Sequence, residues 1–102
     1  MTIGILGGGV WGSALARVLS NNKVIIYARD EKIVKSINEH KINPKLKYSS
    51  FNENVTATTS LKEIRNVKFL FITLPTQNIR EVIKDSSLHN NNHHIVICSK
   101  GI

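Results

Sequence analysis

Short apolar runs recur along the chain and alternate with segments whose apolar residues follow a helical spacing. A continuous apolar run bounded by turn-forming residues is typical of a strand that is buried on both faces. Runs of this kind predict five strands, at 2–6, 23–28, 54–58, 67–74 and 95–100. Pro75 ends the fourth run, because proline cannot continue a strand ladder.

The segment after the first run has the periodicity of an amphipathic helix. Its apolar residues recur at the i, i+3, i+4 spacing that places them on one face. They are Trp11, Ala14, Leu15, Val18 and Leu19. The helix is expected to end near Asn21 and Asn22, because asparagine tolerates the left-handed conformation of a helix cap.

A second helix is predicted to begin after Asp30, whose carboxylate suits an N-cap. Its buried stripe would consist of Ile33, Val34 and Ile37. The polar residues 41–52, which surround a proline, are predicted to form a loop.

Two further helices are predicted in the second half of the chain. Ser60 and Glu63 have the spacing of a capping box for a short helix over 61–66. A longer helix over 76–87 would bury Ile79, Val82 and Ile83.

This alternation of strands and helices predicts the fold. Parallel strands need a crossover connection, which is usually a helix. The order therefore favours a parallel sheet with helices on both faces. We expect a doubly wound α/β domain over residues 1–102, a length that is ordinary for a single domain.

The charge of the chain bears on its partner. Fourteen lysine and arginine residues against seven acidic ones give a net charge of +7 and an isoelectric point near 9.9. Such an excess favours an anionic partner, either nucleic acid or a phosphate-rich small molecule. The lysines are dispersed and few aromatic residues lie among them for base stacking, so we do not expect nucleic acid.

Cysteine and histidine usage adds two expectations. Cys98 is the only cysteine, which excludes an internal disulfide and fits a reducing compartment, by default the cytoplasm. His89, His93 and His94 occupy a polar segment without a carboxylate or cysteine at metal-site spacing, so we expect no metal. No run reaches the roughly 20 apolar residues of a membrane span, and we expect neither a span nor a signal peptide.

Gly7, Gly9 and Gly12 form a G-x-G-x-x-G pattern between the first predicted strand and the first predicted helix. In such a unit the first glycine allows a tight turn, the second lets a pyrophosphate approach the backbone, and the third lets helix and strand pack closely. The helix N-terminus then offers free amides and the positive end of its dipole. The pattern predicts dinucleotide binding, and a simple strand-to-helix turn is the alternative.

The end of the second strand distinguishes NAD from NADP. An NAD site has a carboxylate there, roughly twenty residues after the glycines, which binds the ribose hydroxyls. The sequence instead reads "YARD", and the guanidinium of Arg29 can bind a 2′-phosphate with paired hydrogen bonds. Asp30 is the rival candidate but suits a helix cap better. NADP(H) is therefore the preferred cofactor and NAD(H) the alternative.

Four segments occur in an order and spacing that match a known family: "GGGVWGSALA", "YARD", "TLPTQNIR" and "SKGI". Over its whole length the chain resembles the N-terminal half of bacterial NAD(P)-dependent glycerol-3-phosphate dehydrogenase. The resemblance implies a Rossmann-type domain of an oxidoreductase. Such an enzyme interconverts dihydroxyacetone phosphate and sn-glycerol 3-phosphate by hydride transfer and serves phospholipid synthesis.

The resemblance also implies roles for individual residues. Val10 and Trp11 would lie beside the cofactor pyrophosphate, although core packing stays open for Trp11. Arg29 would face the adenosine ribose and its phosphate, the turn at 75–77 would pass near the cofactor, and Lys100 would contact both cofactor and substrate.

The sequence departs from the family pattern at two places. The family commonly has serine at the position of Val10. Its Asn-Pro-x-Tyr-Leu-Pro segment is altered here to "NPKLKYSS", so Tyr48 is given no role.

The family's substrate domain, with its catalytic lysine, follows the S-K-G segment, whereas this sequence ends at Ile102. We therefore expect a chain that is truncated before that domain and inactive alone, with Lys100 orienting a small phosphorylated substrate. The resemblance allows a homodimer in the full-length form. Two alternatives stay open: a non-catalytic module that senses a dinucleotide, and the cofactor domain of a sister two-domain dehydrogenase.

Overall fold

A parallel sheet organises the part of the chain that the structure, a computed structural model, describes: residues 2–45, 50–64, 67–74 and 94–97. Every pair of neighbouring strands is parallel, and the strand order is β3-β2-β1-β4-β5. The strands are β1 (Thr2–Leu6), β2 (Lys23–Tyr27), β3 (Val55–Thr58), β4 (Phe69–Ile72) and β5 (His94–Ile97). The five predicted strands and the parallel α/β fold are confirmed.

Two helices connect the first three strands. Helix α1 (Val10–Val18) joins β1 to β2, and α2 (Glu31–His40) joins β2 to β3. The chain then crosses back, so that β4 pairs with the other edge of β1. This reversal creates a switch point at the carboxyl ends of β1 and β4, which is where ligands bind in open α/β sheets.

Apolar side chains cover both faces of the sheet, because successive strand residues point to opposite sides. The larger cluster packs against α1 and α2 and contains Ile5, Ala16, Val24, Ile26, Ala28, Ile33, Ile37, Phe51, Val55 and Ala57. The cluster on the other face contains Leu6, Ile64, Val67, Leu70 and Ile72. The continuous apolar run of the fourth strand thus serves two cores, as its sequence predicts.

Helix α2 agrees with its prediction. Asp30 caps the helix by accepting a hydrogen bond from the backbone N–H of Lys32 at 2.9 Å. Ile33 and Ile37 are buried and Val34 packs against them. The helix ends at Lys41, which has a φ of 58° in the left-handed region.

Helix α1 buries only part of the apolar stripe predicted for it, since Leu15 and Leu19 pack against the core. Trp11 is 55% exposed and Val18 is 77% exposed, whereas the buried residues are Gly12, Ser13 and Ala16. Small residues let the helix backbone lie close to the sheet, and this proximity outweighs the apolar stripe. The expectation that Val18 lies on the buried face is wrong, and for Trp11, where core packing stayed open, the side chain lies largely outside the core.

The end of α1 also differs from the prediction. The C-cap residue is Leu19, with a φ of −91°. Among the described residues other than glycine, a positive φ is found at Lys41 and not at Asn21 or Asn22. The predicted left-handed asparagine is therefore wrong. Asn22 instead satisfies the helix end with its side chain, which donates to the carbonyl of Leu19 at 3.2 Å.

The predicted capping box at Ser60 does not form. Residues Leu61–Glu63 make a short 3₁₀ helix, and the Ser60 side chain makes no cap hydrogen bond. The hydroxyl of Thr58 takes over: it donates to the Glu63 carboxylate and accepts the Ser60 backbone N–H at 3.0 Å. The turn is thus fixed from the end of β3 rather than from its own cap.

Several predictions fall outside the described residues. These are the helix over 76–87, the histidine loop up to His93, and the end of the last strand with Cys98 and Lys100. Within the described residues, no helix is long and apolar enough to cross a membrane. The same residues contain no cluster of three side chains suited to a metal ion.

Candidate functional site

The turn between β1 and α1 requires glycine at its first position. Gly7 has a φ of +132°, which side-chain-bearing residues rarely adopt. Its backbone N–H donates to the carbonyl of Tyr27 at 3.0 Å, which ties the turn to the end of β2. A Cβ at Gly7 would also overlap the hydroxyl of Thr73, the residue that follows β4.

The other two glycines of the motif differ sharply in their surroundings. A Cβ at Gly12 would overlap the carbonyl oxygen of Gly7, so α1 reaches the turn only with glycine there. A Cβ at Gly9 would meet nothing within 4 Å. The middle glycine therefore borders open space, which is the geometry that a pyrophosphate approaching the backbone requires.

The N-terminus of α1 faces this open space without a side-chain cap. Gly9 is the N-cap residue and provides no capping atom. The first amides of a helix have no partner within the helix, and with the helix dipole they favour an anion. Val10 and Trp11, in the first turn, are 51% and 55% exposed. Their exposure leaves both side chains accessible beside the turn.

A cleft of about 310 Å³ joins the glycine turn to the ends of β2 and β4. Gly7, Gly8 and Gly9 form one wall. Thr73 and Leu74 contribute from the segment that follows β4. The segment after β2, helix α2 and the loop after α2 complete the lining with Ala28, Arg29, Asp30, Ile33 and Lys45. The cleft thus lies at the switch point of the sheet.

The cleft brings together some of the predicted site residues. Gly7, Gly9 and Arg29 line it, Gly12 lies behind the turn against Gly7, and Val10 and Trp11 are beside it on α1. Lys100 and the turn at 75–77 lie outside the described residues.

Arg29 and Asp30 have different tasks at the end of β2. Both line the cleft and both are exposed. A carboxylate oxygen of Asp30 is already engaged as the cap of α2. The guanidinium of Arg29 carries a fixed positive charge and several donors that suit a phosphate.

Asn43 links the loop after α2 to the glycine turn and was not recognised in the sequence. Its side chain is fully buried. The amide donates to the carbonyl of Gly8 at 2.8 Å and to the hydroxyl of Ser13 at 2.6 Å. Its carbonyl oxygen accepts the backbone N–H of Lys45 at 3.0 Å. The Asn-Pro pair is a turn signal, but it does not indicate these distant partners.

The sequence resembles proteins of one known family over almost its whole length. The family model described as "NAD-dependent glycerol-3-phosphate dehydrogenase N-terminus" matches residues 2–102. A glycerol-3-phosphate dehydrogenase (NAD(P)+) from Bacillus licheniformis is 42% identical over 108 residues, covering 98% of this chain. One from Neorickettsia sennetsu is 33% identical over 102 residues, covering 96% of this chain. This chain spans 30% of the length of each relative.

Solved structures show the same architecture. A glycerol-3-phosphate dehydrogenase from Coxiella burnetii superposes with a TM-score of 0.87 at 29% identity, covering 99% of this chain and 33% of its own. A probable 2-dehydropantoate 2-reductase from Bacillus subtilis shares the fold with a TM-score of 0.78 at 24% identity, covering 99% of this chain and 34% of its own. From the match over 2–102, the chain belongs to the family of N-terminal regions of NAD-dependent glycerol-3-phosphate dehydrogenases.

Proposed function

We propose that this chain is the cofactor-binding part of a glycerol-3-phosphate dehydrogenase that prefers NADP(H). The observation that carries the proposal is the cleft in which the glycine turn and Arg29 meet. The family to which the chain belongs supports it, as do relatives named glycerol-3-phosphate dehydrogenase (NAD(P)+). The substrate domain of the enzyme would follow residues 1–102.

The residues of the cleft fit a dinucleotide. Open space at Gly9 leaves room for a pyrophosphate against the backbone, and the uncapped amides of α1 can donate to it. Val10 and Trp11 flank this position with exposed apolar surface. Gly7 and Gly12 support the turn from below by contacts that admit no larger residue.

The preference for NADP(H) rests on the division of tasks after β2. Arg29 lines the cleft with donors that suit a 2′-phosphate. Asp30, the carboxylate that could bind ribose hydroxyls, is engaged in capping α2. The positive charge of Arg29 and the hydrogen bond already made by Asp30 both favour the phosphorylated ribose of NADP(H). NAD(H) is therefore the weaker ligand.

NADPH, held by the glycine turn and Arg29, would supply the hydride for reduction of dihydroxyacetone phosphate. This chain would bind and orient the cofactor and contribute Lys100, which would orient the phosphorylated substrate. The chain alone is expected to bind without turnover. We place the complete protein in the cytoplasm, acting on a small phosphorylated substrate, with a homodimer formed largely through the substrate domain.

Calorimetric titration of the chain with NADPH and NADH tests the cofactor assignment. We expect NADPH to bind at least about tenfold more tightly, since hydrogen bonds to charged groups contribute about 1.5–3 kcal/mol. Arg29→Gln should remove most of this difference. Arg17→Gln removes the same charge from an exposed position on α1 outside the cleft lining and should leave both affinities unchanged. Tighter binding of NADH would contradict the role of Arg29.

A chimera tests the reaction. It joins this chain to the remaining length of the Bacillus licheniformis relative, of which this chain spans only 30%. Oxidation of NADPH should then depend on dihydroxyacetone phosphate. Turnover of another carbonyl substrate instead would favour a sister dehydrogenase. Binding of a dinucleotide without turnover of any substrate would favour a sensing module.

A further inference from the structure

Lys45 is a second cation in the cleft, and its position is fixed by the fold. It lies in the loop after α2 and lines the cleft together with Arg29. Of the described residues that line the cleft, these two carry a positive charge and Asp30 carries a negative one. Because Asp30 accepts the Lys32 N–H as a helix cap, its carboxylate is already partly satisfied.

The backbone of Lys45 is anchored to the glycine turn through Asn43. The buried Asn43 side chain accepts the Lys45 N–H at 3.0 Å and donates to the Gly8 carbonyl at 2.8 Å and the Ser13 hydroxyl at 2.6 Å. A buried polar side chain that keeps all these partners holds its segment in one place. Lys45 therefore starts from a fixed point beside the turn.

The anchoring holds the Lys45 backbone near Gly8 and, through Ser13, near the first turn of α1. Gly8, to which Asn43 is bound, packs against Ala28 so closely that a Cβ on Gly8 would lie 2.6 Å from the Ala28 Cβ. Ala28 directly precedes Arg29. Arg29 and Lys45 thus line the same cleft, and Gly8 lies between the segments that carry them.

We infer that Lys45 binds the 2′-phosphate of NADP(H) together with Arg29, and that Asn43 is the positioning residue that holds Lys45 in place. This inference rests on the proposed function. A guanidinium and an ammonium interact with a phosphate in different ways. Arg29 supplies a planar pair of donors, and Lys45 supplies a compact point charge. Lys45 is then a determinant of cofactor specificity rather than of general affinity.

The test compares the binding of two cofactors by the chain and its variants. Lys45→Gln should weaken NADPH about tenfold, the loss expected for one hydrogen bond to a charged group, and leave NADH unchanged. Lys45→Arg, which keeps the charge, should retain most of the NADPH affinity. The matched control is Lys35→Gln, which removes a lysine exposed on α2 and outside the cleft lining, and it should change neither affinity.

Each outcome decides between distinct conclusions. Equal losses for NADPH and NADH in Lys45→Gln, or no loss for either, would overturn the role of Lys45 while leaving the proposed function intact. If the unchanged chain binds neither cofactor, the proposed function fails and this inference fails with it. Urea unfolding of Lys45→Gln should give the midpoint of the unchanged chain, so that any loss of affinity reports the cleft and not the fold.

Discussion

The floor and the rim of the cleft are built from different kinds of residue. The floor consists of Gly7 and Gly12 with Thr73 packed against them, and a Cβ added at either glycine would overlap backbone or the Thr73 side chain. The rim consists of Gly9, Arg29 and Lys45, where the space is open and the side chains are exposed. Packing therefore determines which residues can occupy the floor, whereas the residues of the rim can be chosen by the chemistry of the ligand.

Because of this difference, some glycines of the motif indicate the fold and others indicate the ligand. Floor residues are required by the strand–turn–helix unit whether or not a ligand binds, so they report the architecture. The Bacillus subtilis reductase, with a TM-score of 0.78 at 24% identity, illustrates that the architecture persists when much of the sequence has changed. Rim residues provide charged side chains and open space, and it is these residues that can distinguish NADP(H) from NAD(H).

The largest effect is expected from filling the floor. Alanine normally stabilises a helix interior by roughly 1 kcal/mol relative to glycine. Gly12→Ala should instead destabilise the domain by about 3 kcal/mol, because its Cβ would overlap the Gly7 carbonyl and overpacking against backbone forces a shift. Urea unfolding followed by far-ultraviolet circular dichroism measures the change. A variant as stable as the parent would show that α1 can move away from the turn at little cost.

The next largest effect is expected at the link between floor and rim. Asn43→Ala leaves the buried hydroxyl of Ser13 and the carbonyl of Gly8 without this donor, and should cost about 2 kcal/mol. Asn54→Ala is the matched control, since it removes an exposed amide that donates to the Ser20 carbonyl at 2.8 Å. The control should lose less than about 1 kcal/mol. Equal losses of unfolding free energy in the two variants would mean that the buried hydrogen bonds of Asn43 stabilise the domain no more than the exposed one of Asn54.

The sequence predicted what depends on neighbouring residues. The five strands follow from apolar runs, and the start of α2 follows from the cap chemistry of Asp30, which acts on the N–H of Lys32 only two positions away. The positive φ of Gly7 is likewise a local requirement of the turn between β1 and α1.

What the sequence did not predict depends on distant contacts. The buried face of α1 is set by the closeness of Gly12 to Gly7 and Thr73, which the apolar spacing of the helix does not encode. Thr73 and Lys45 enter the cleft because separate segments meet at the switch point. Asn43 reaches partners 35 and 30 positions away along the chain, a pairing that no local pattern indicates.

A smaller effect is expected where the rim meets a helix cap. Asp30→Ala should cost about 1 kcal/mol through loss of the cap on α2, and Asp30→Ser should restore most of it. Because Asp30 is assigned to the cap and not to the ribose, Asp30→Ser should not weaken NADPH. Titration with both cofactors checks this assignment. A selective loss of NADH affinity in Asp30→Ser would identify Asp30 as the carboxylate that binds the ribose.

The smallest effect on stability is expected at Gly9, the rim glycine. A Cβ there meets nothing within 4 Å, and a φ of −83° suits alanine. The poorer N-cap is offset by reduced freedom of the unfolded chain, so Gly9→Ala should change the unfolding free energy by less than about 0.5 kcal/mol. Binding of both cofactors should nevertheless fall by at least about tenfold, because the methyl group occupies the approach to the amides of α1. Unchanged affinity would mean that the pyrophosphate binds elsewhere. Loss of binding without loss of stability would show that Gly9 serves the ligand, whereas Gly7 and Gly12 serve the fold.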